Sequence, residues 1–195
     1  MLSMKKILTA IMLFSTLKVA NAQIDTSDLK LPIKSNKIVY EGVVEVQNRS
    51  KNDLFFNAKK WGFDFLKFPD NPVQNEDREM GRLLLRGNTI TQLPNSFGES
   101  NVGLRMTIQI DVKENKFRYK IYDLYFTSAN TNSVNTSGSS SMCISMESFI
   151  DIAPKIPILF LSKKHFKQLF ENANFEILSG IAHLKNDMKK PPDDF

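Results

Sequence analysis

The chain has 195 residues, 42% of them apolar by type, and a formal charge of +5. That is enough for one domain with its own hydrophobic core, held without metals or disulfides. A single cysteine, Cys143, excludes an internal disulfide.

Lys5 and Lys6 precede the apolar run Ile7–Leu17, which is short of the about 20 apolar residues a spanning helix needs. Ala20-Asn21-Ala22 supplies the A-x-A pattern of a signal-peptidase site. The expectation is a signal peptide over 1–22, with Gln23 as mature N-terminus. No cysteine follows the apolar run, so the leader is not of lipoprotein type, and no later stretch is apolar enough to cross a bilayer. The expected destination is the periplasm or the extracellular space. Lys5, Lys6 and Lys18 leave with the leader and no acid does, so the formal charge falls from +5 to +2. A near-neutral exported domain is a poor nucleic-acid binder, which needs concentrated positive charge.

Residues 23–37 are polar, contain Pro32 and read as a linker. Ile38–Val46 reads as a strand with Ile38, Tyr40, Val44 and Val46 on one face. Ser50 with Asp53 forms a capping box. The stripe Leu54, Phe55, Ala58, Trp61, Phe65 and Leu66 predicts an amphipathic helix, with Asn57 on its polar side and Pro69 as its stop. Val73–Glu79 reads as an edge strand, Met80-Gly81 as a turn and Arg82–Ile90 as a strand. Pro94–Asn101 reads as a polar loop. Leu104, Met106, Ile108, Ile110 and Val112 alternate with Arg105, Thr107, Gln109, Asp111 and Lys113. After the compact turn Lys113-Glu114-Asn115-Lys116, Phe117, Tyr119 and Ile121 alternate with polar residues, which predicts an antiparallel pair. Residues 127–141 are almost entirely Ser, Thr, Asn and Gly and read as a disordered loop. Phe166, Phe170, Ala173, Ile177, Ile181, Leu184 and Met188 predict a second long helix, with a possible break near Asn172–Asn174 and a loose tail at 191–195. The order predicts an α+β two-layer sandwich over 38–190: an antiparallel sheet with helices on one face.

Three features together resemble a known family. They are Ile38–Val46 followed by Ser50-Lys51-Asn52-Asp53-Leu54 and Trp61, the step from Glu76-Asp77 through Gly81 into an apolar strand, and the pair Ile110–Lys113 with Phe117-Arg118-Tyr119. The segment Lys37–Phe126 is similar to the domain-of-unknown-function 4468 family with a TBP-like fold, common in exported proteins of Bacteroidota. The resemblance implies a fold. It assigns no activity and supplies no catalytic residue, and a TBP-like fold does not imply DNA binding.

The residues offer little reactive chemistry. The histidines His165 and His183 would stand about 27 Å apart on one continuous helix, so no metal site is expected. No phosphate-loop or nucleophile-elbow motif occurs, and no cofactor is expected. Cys143 in Ser-Met-Cys-Ile, with His165 and Asp151 elsewhere, is the one nucleophile arrangement that can be assembled, and no local signature supports it. The reading is therefore non-enzymatic. The polar faces of three strands carry Arg82, Arg86, Arg105, Arg118 and Lys120, joined by Gln109 and Tyr122, with Asp111 as the nearby acid. An ordinary solvated sheet face accounts for this pattern. The alternative is a cationic platform that docks an anionic ligand or an envelope protein, since arginine presents a planar fork suited to carboxylates and phosphates. The expectation is an exported binding or assembly module of the cell envelope. The competing readings are a hydrolase using Cys143 or a serine, and a small-ligand carrier with a pocket between sheet and helices.

Overall fold

The alternating run Leu104–Val112 is the centre of the sheet. In the computed structural model, which describes residues 29–67, 71–128, 143–152 and 162–191, strand β6 (Gly98–Lys113) turns through Glu114-Asn115 into β7 (Lys116–Ser128). Asn115 takes up the turn at φ 61°, a conformation asparagine tolerates better than most residues. On its other side β6 pairs with β5 (Arg82–Asn95), and β5 with the edge strand β4 (Val73–Asp77). Strand β3 (Tyr40–Glu45) lies against the first half of β7, and the short β8 (Cys143–Ser145) against its end. All pairings are antiparallel, in the order β3-β7-β6-β5-β4.

Helices cover one face. α1 (Lys51–Phe65) starts with the expected capping box, Ser50 accepting from the Asp53 N–H and Asp53 from the Ser50 N–H. α2 (Met146–Ile152) is short, and α3 (Lys163–Asp187) runs unbroken through Asn172–Asn174. Leu54, Ala58 and Trp61 of α1 and Phe170, Ala173, Ile177 and Leu184 of α3 are buried against Leu85, Ile108, Ile110 and Ile121 of the sheet. The hydrophobic effect therefore draws both stripes onto one side of the sheet. Two close approaches depend on glycine: a Cβ at Gly62 would lie 2.4 Å from the Leu85 side chain, and one at Gly180 would lie 2.4 Å from the Phe65 ring. The high phenylalanine content is explained in part by Phe126, Phe149, Phe166 and Phe170, whose rings meet at 5.4–6.0 Å under α3.

Several boundaries differ from the sequence reading. The linker extends only part of the way to Lys37: Leu29 is buried, and β1 (Ile33–Lys34) and β2 (Lys37–Ile38) form a small hairpin. The loop read over Pro94–Asn101 is instead the tip of the β5–β6 hairpin, with Pro94 opposite Glu99 and Asn95 opposite Gly98. Among the described residues no strand pairs with β5 beyond Leu85 on its β4 side, so a proline lacking an N–H is tolerated there, as on any edge. Thr127 and Ser128, assigned to the loop at 127–141, belong to β7 and pair with Gly103 and Val102. α1 ends at Phe65, ahead of the expected stop. Asn57 is buried rather than polar-facing, and its amide donates to the carbonyls of Asp187 and Lys190 at 3.1 and 3.0 Å. With Arg49, which donates to Lys189 O at 2.7 Å, it satisfies carbonyls at the end of α3 that have no helical partner. Residues 1–28, Pro69, most of the Ser/Asn-rich segment, Ile156–Leu161 and the tail from residue 192 lie outside the described residues.

Candidate functional site

The pleat of the sheet decides where the charged residues point. Alternate residues of a strand face opposite sides. Since Leu104–Val112 face the helices, Arg105, Thr107, Gln109, Asp111 and Lys113 face away. Strand register then arranges the uncovered face in rows. One row runs Asp77, Arg82, Asp111, Arg118, Val43. The next runs Asn75, Leu84, Gln109, Lys120, Glu41, and beyond it come Arg86, Thr107 and Tyr122. The last rows hold Asn88, Arg105, Tyr125 and Ser145, then Ile90, Gly103, Thr127 and Cys143. The sheet thus brings Arg82, Arg86, Arg105, Gln109, Arg118 and Lys120 onto one continuous surface.

These six residues are not equivalent. Asp111 accepts from Arg82 Nε at 2.8 Å, Arg118 Nη2 at 2.7 Å and Gln109 Nε2 at 2.9 Å. Partial burial pulls the Asp111 carboxyl upward, but these three donors outweigh it and hold the group below its ordinary range. The same carboxylate lifts the Arg82 guanidinium above its ordinary value, chiefly through their hydrogen bond. One end of the face is therefore internally neutralised. Arg105 lies over the Tyr125 ring at 4.7 Å and donates to Cys143 Sγ at 3.0 Å, while its buried Nε has no partner. Lys120 sits 5.3 Å over Tyr122. Arg86 is exposed, and its guanidinium makes no hydrogen bond or ion pair among the described residues. The cations of the platform outside the Asp111 cluster are Arg86, Lys120 and Arg105, the last two each over a tyrosine ring. Glu41 and Glu45 bound the face at the β3 edge. Glu41 is drawn to Lys34 at 2.6 Å, and that hydrogen bond holds its carboxyl below its ordinary range.

The other chemical candidates stand apart from this surface. His165 is tied to the start of α3, its Nδ1 accepting from the Ser162 N–H at 3.2 Å. His183 lies in a cleft between α1 and α3, lined also by Trp61, Asp64 and Glu176. Cys143 is exposed and has Arg105 as its side-chain hydrogen-bond partner, with no imidazole or carboxylate bonded to it among the described residues. No cluster of three or more His, Cys, Asp or Glu is placed to hold a metal ion among the described residues. Among them, no helix is long and apolar enough to cross a membrane.

An open-faced antiparallel sheet backed by helices defines an α+β domain of TBP-like fold. Residues 40–127, from β3 into β7, match the family described as "Domain of unknown function (DUF4468) with TBP-like fold". Two crystal structures share the architecture over more than that segment. One is a TBP-like protein from Parabacteroides distasonis, 17% identical with a TM-score of 0.58, covering 82% of this chain and 97% of that one. The other is a DUF4468 family protein from Bacteroides ovatus, 14% identical with a TM-score of 0.56, covering 85% of this chain and 94% of that one. At such identities the likeness is one of fold. No curated protein matches the chain. The family indicates no catalytic class.

Proposed function

We propose that this is an exported, non-enzymatic binding module of the cell envelope that holds an anionic partner on its uncovered sheet face. The observation that carries the reading is the exposed Arg86 guanidinium, without an ion pair among the described residues, on the same sheet face as Lys120 and Arg105, which no described helix covers. Unpaired arginine on a rigid sheet is preorganised for a carboxylate or phosphate, because no existing ion pair has to break first. The signal-peptide pattern at 1–22 supports the envelope location, and the lack of an imidazole or carboxylate bonded to Cys143 among the described residues disfavours the hydrolase reading.

The test compares the chain with a double variant, Arg86→Glu with Lys120→Glu. Immobilised chain is incubated with solubilised envelope from its own host, and captured components are resolved at low and high salt. The expected result is a salt-sensitive component captured by the parent and lost by the variant, with both giving the same circular dichroism spectrum. Equal capture by both would reject the sheet face as the site. Export is tested separately by intact mass, which should place the N-terminus of the host-purified protein at Gln23.

A further inference from the structure

A second site is built at the opposite edge of the domain. The β1–β2 hairpin, strand β3, Tyr119 of β7 and helix α3 enclose a groove of about 530 Å³, within the range of small-molecule pockets. Its walls include Ile33 and Leu178, which are 59% and 49% exposed although both are large and apolar. Its floor is formed by Tyr40, Tyr119 and Ile181, all nearly buried. Uncovered aliphatic walls over an aromatic floor favour an apolar body of modest size.

The polar groups of the groove are mainly donors. The Tyr40 hydroxyl donates to Asn174 Oδ1 at 2.7 Å. That bond occupies the amide oxygen and orients the side chain, leaving the Asn174 NH2 without a partner among the described residues. The Tyr119 hydroxyl also has no hydrogen-bond partner among them, and burial pushes both phenols up, so they stay protonated. Gly42 keeps the Tyr119 hydroxyl in place, since a Cβ at that position would lie 2.7 Å from it. The charges are also unbalanced. Glu41, the acid at the mouth, is already paired with Lys34 at 2.6 Å, whereas Lys30 lines the groove with no ion pair among the described residues. Lys185 adds a further cation 5.9 Å over the Tyr119 ring.

We propose that this groove binds a small amphiphilic carboxylate, with its alkyl or aryl body between Ile33 and Leu178 and its head group accepting from Asn174, Tyr119 and Lys30. The groove meets the uncovered face at Glu41, but Asn174, Tyr119 and Lys30 lie outside the charged rows of that face, so neither reading depends on the other.

The experiment is a fluorescence titration of the purified full chain with 11-(dansylamino)undecanoic acid, followed by displacement with dodecanoic acid or its methyl ester. Saturable binding is expected, with the ester displacing at least about tenfold less well, because it lacks the charge. Leu178→Asp should weaken probe binding by about tenfold or more, as should Ile33→Asp on the opposite wall. Both positions are half-exposed, so folding should survive, and thermal melts confirm it. Tyr119→Phe should cost about three- to tenfold, and Arg86→Glu, on a strand that does not line the groove, should change nothing. Absence of saturable binding, or parental affinity in both Asp variants, would overturn the proposal. Equal displacement by acid and ester would overturn the carboxylate assignment.

Discussion

The two faces of strand β6 use the same backbone for opposite ends. On the covered side Leu104, Met106, Ile108 and Ile110 are fully buried, each contributing to stability through apolar area removed from water. On the uncovered side Arg105, Gln109 and Asp111 stay partly exposed; Arg105 and Asp111 engage side chains of neighbouring strands, and Gln109 donates to Asp111 of its own strand. The covered face specifies the fold, and many apolar sequences of the right size would serve it. The uncovered face contributes little to stability and carries directional groups whose placement depends on register. Within that face the division repeats: Arg82 and Arg118 are held by Asp111, while the Arg86 side chain has no hydrogen-bond or ion-pair partner among the described residues.

The largest effect should come from the covered side. Ile108→Ala removes a fully buried side chain between α1 and the sheet and should destabilise the domain by about 2–5 kcal/mol. Urea denaturation would measure this as a lower midpoint with an unchanged slope. A cost under about 1 kcal/mol would mean the helix layer packs loosely at its centre, and the contrast between faces would weaken.

Asp111→Ala tests the one structural element of the uncovered face. It removes the acceptor of four hydrogen bonds from three residues and leaves Arg82 and Arg118 facing each other across one strand. A loss of about 1–2 kcal/mol is expected, limited by the solvent exposure of both arginines. The pH dependence has a definite sign. The Asp111 carboxyl is depressed in the folded state, so its contribution is complete above the unfolded value near pH 4 and is lost as pH falls through the lower folded value. Comparing parent and Asp111→Ala melts from pH 6 down to pH 2.5 should show the two converging at the acid end. Parallel curves would mean that the carboxylate is not engaged in solution.

How much of this was legible in the sequence depends on how local each signal is. The capping box at Ser50 and Asp53, the β6–β7 turn and the helical stripe of α3 are short-range patterns, and each appears as read. The period-2 alternation also placed Arg82, Arg86, Arg105, Gln109, Arg118 and Lys120 on one side of their strands. What alternation cannot supply is pairing between strands, because the partner of a side chain is set by register. That Asp111 neutralises Arg82 and Arg118, and leaves Arg86 free, needs the lateral row across β5, β6 and β7. The buried Asn57 looked polar-facing because its partners, the carbonyls of Asp187 and Lys190, are more than a hundred residues away. The β5–β6 tip was hidden by Pro94, which signals a loop unless one knows that this part of β5 is an edge. The Tyr40–Asn174 bond that shapes the groove likewise joins opposite ends of the domain.

The smallest stability effect should fall on the residue with the largest proposed role. Arg86→Glu removes no hydrogen bond or ion pair of its side chain, and surface substitutions of this kind usually change stability by less than about 0.5 kcal/mol. Its backbone N–H donates to Pro72 O at 2.8 Å, and the substitution retains that bond. A reversed charge at this position lies one row from Arg105 and two rows from Arg82 and Asp111, so a small gain is as compatible with the geometry as a small loss. The decisive pairing is therefore an unchanged melting curve together with altered binding to the uncovered face. A melting temperature lowered by more than a few degrees would show that Arg86 supports the fold through contacts made in solution. The contrast between a structural covered face and an unengaged cationic one would then fail at the position where it is sharpest.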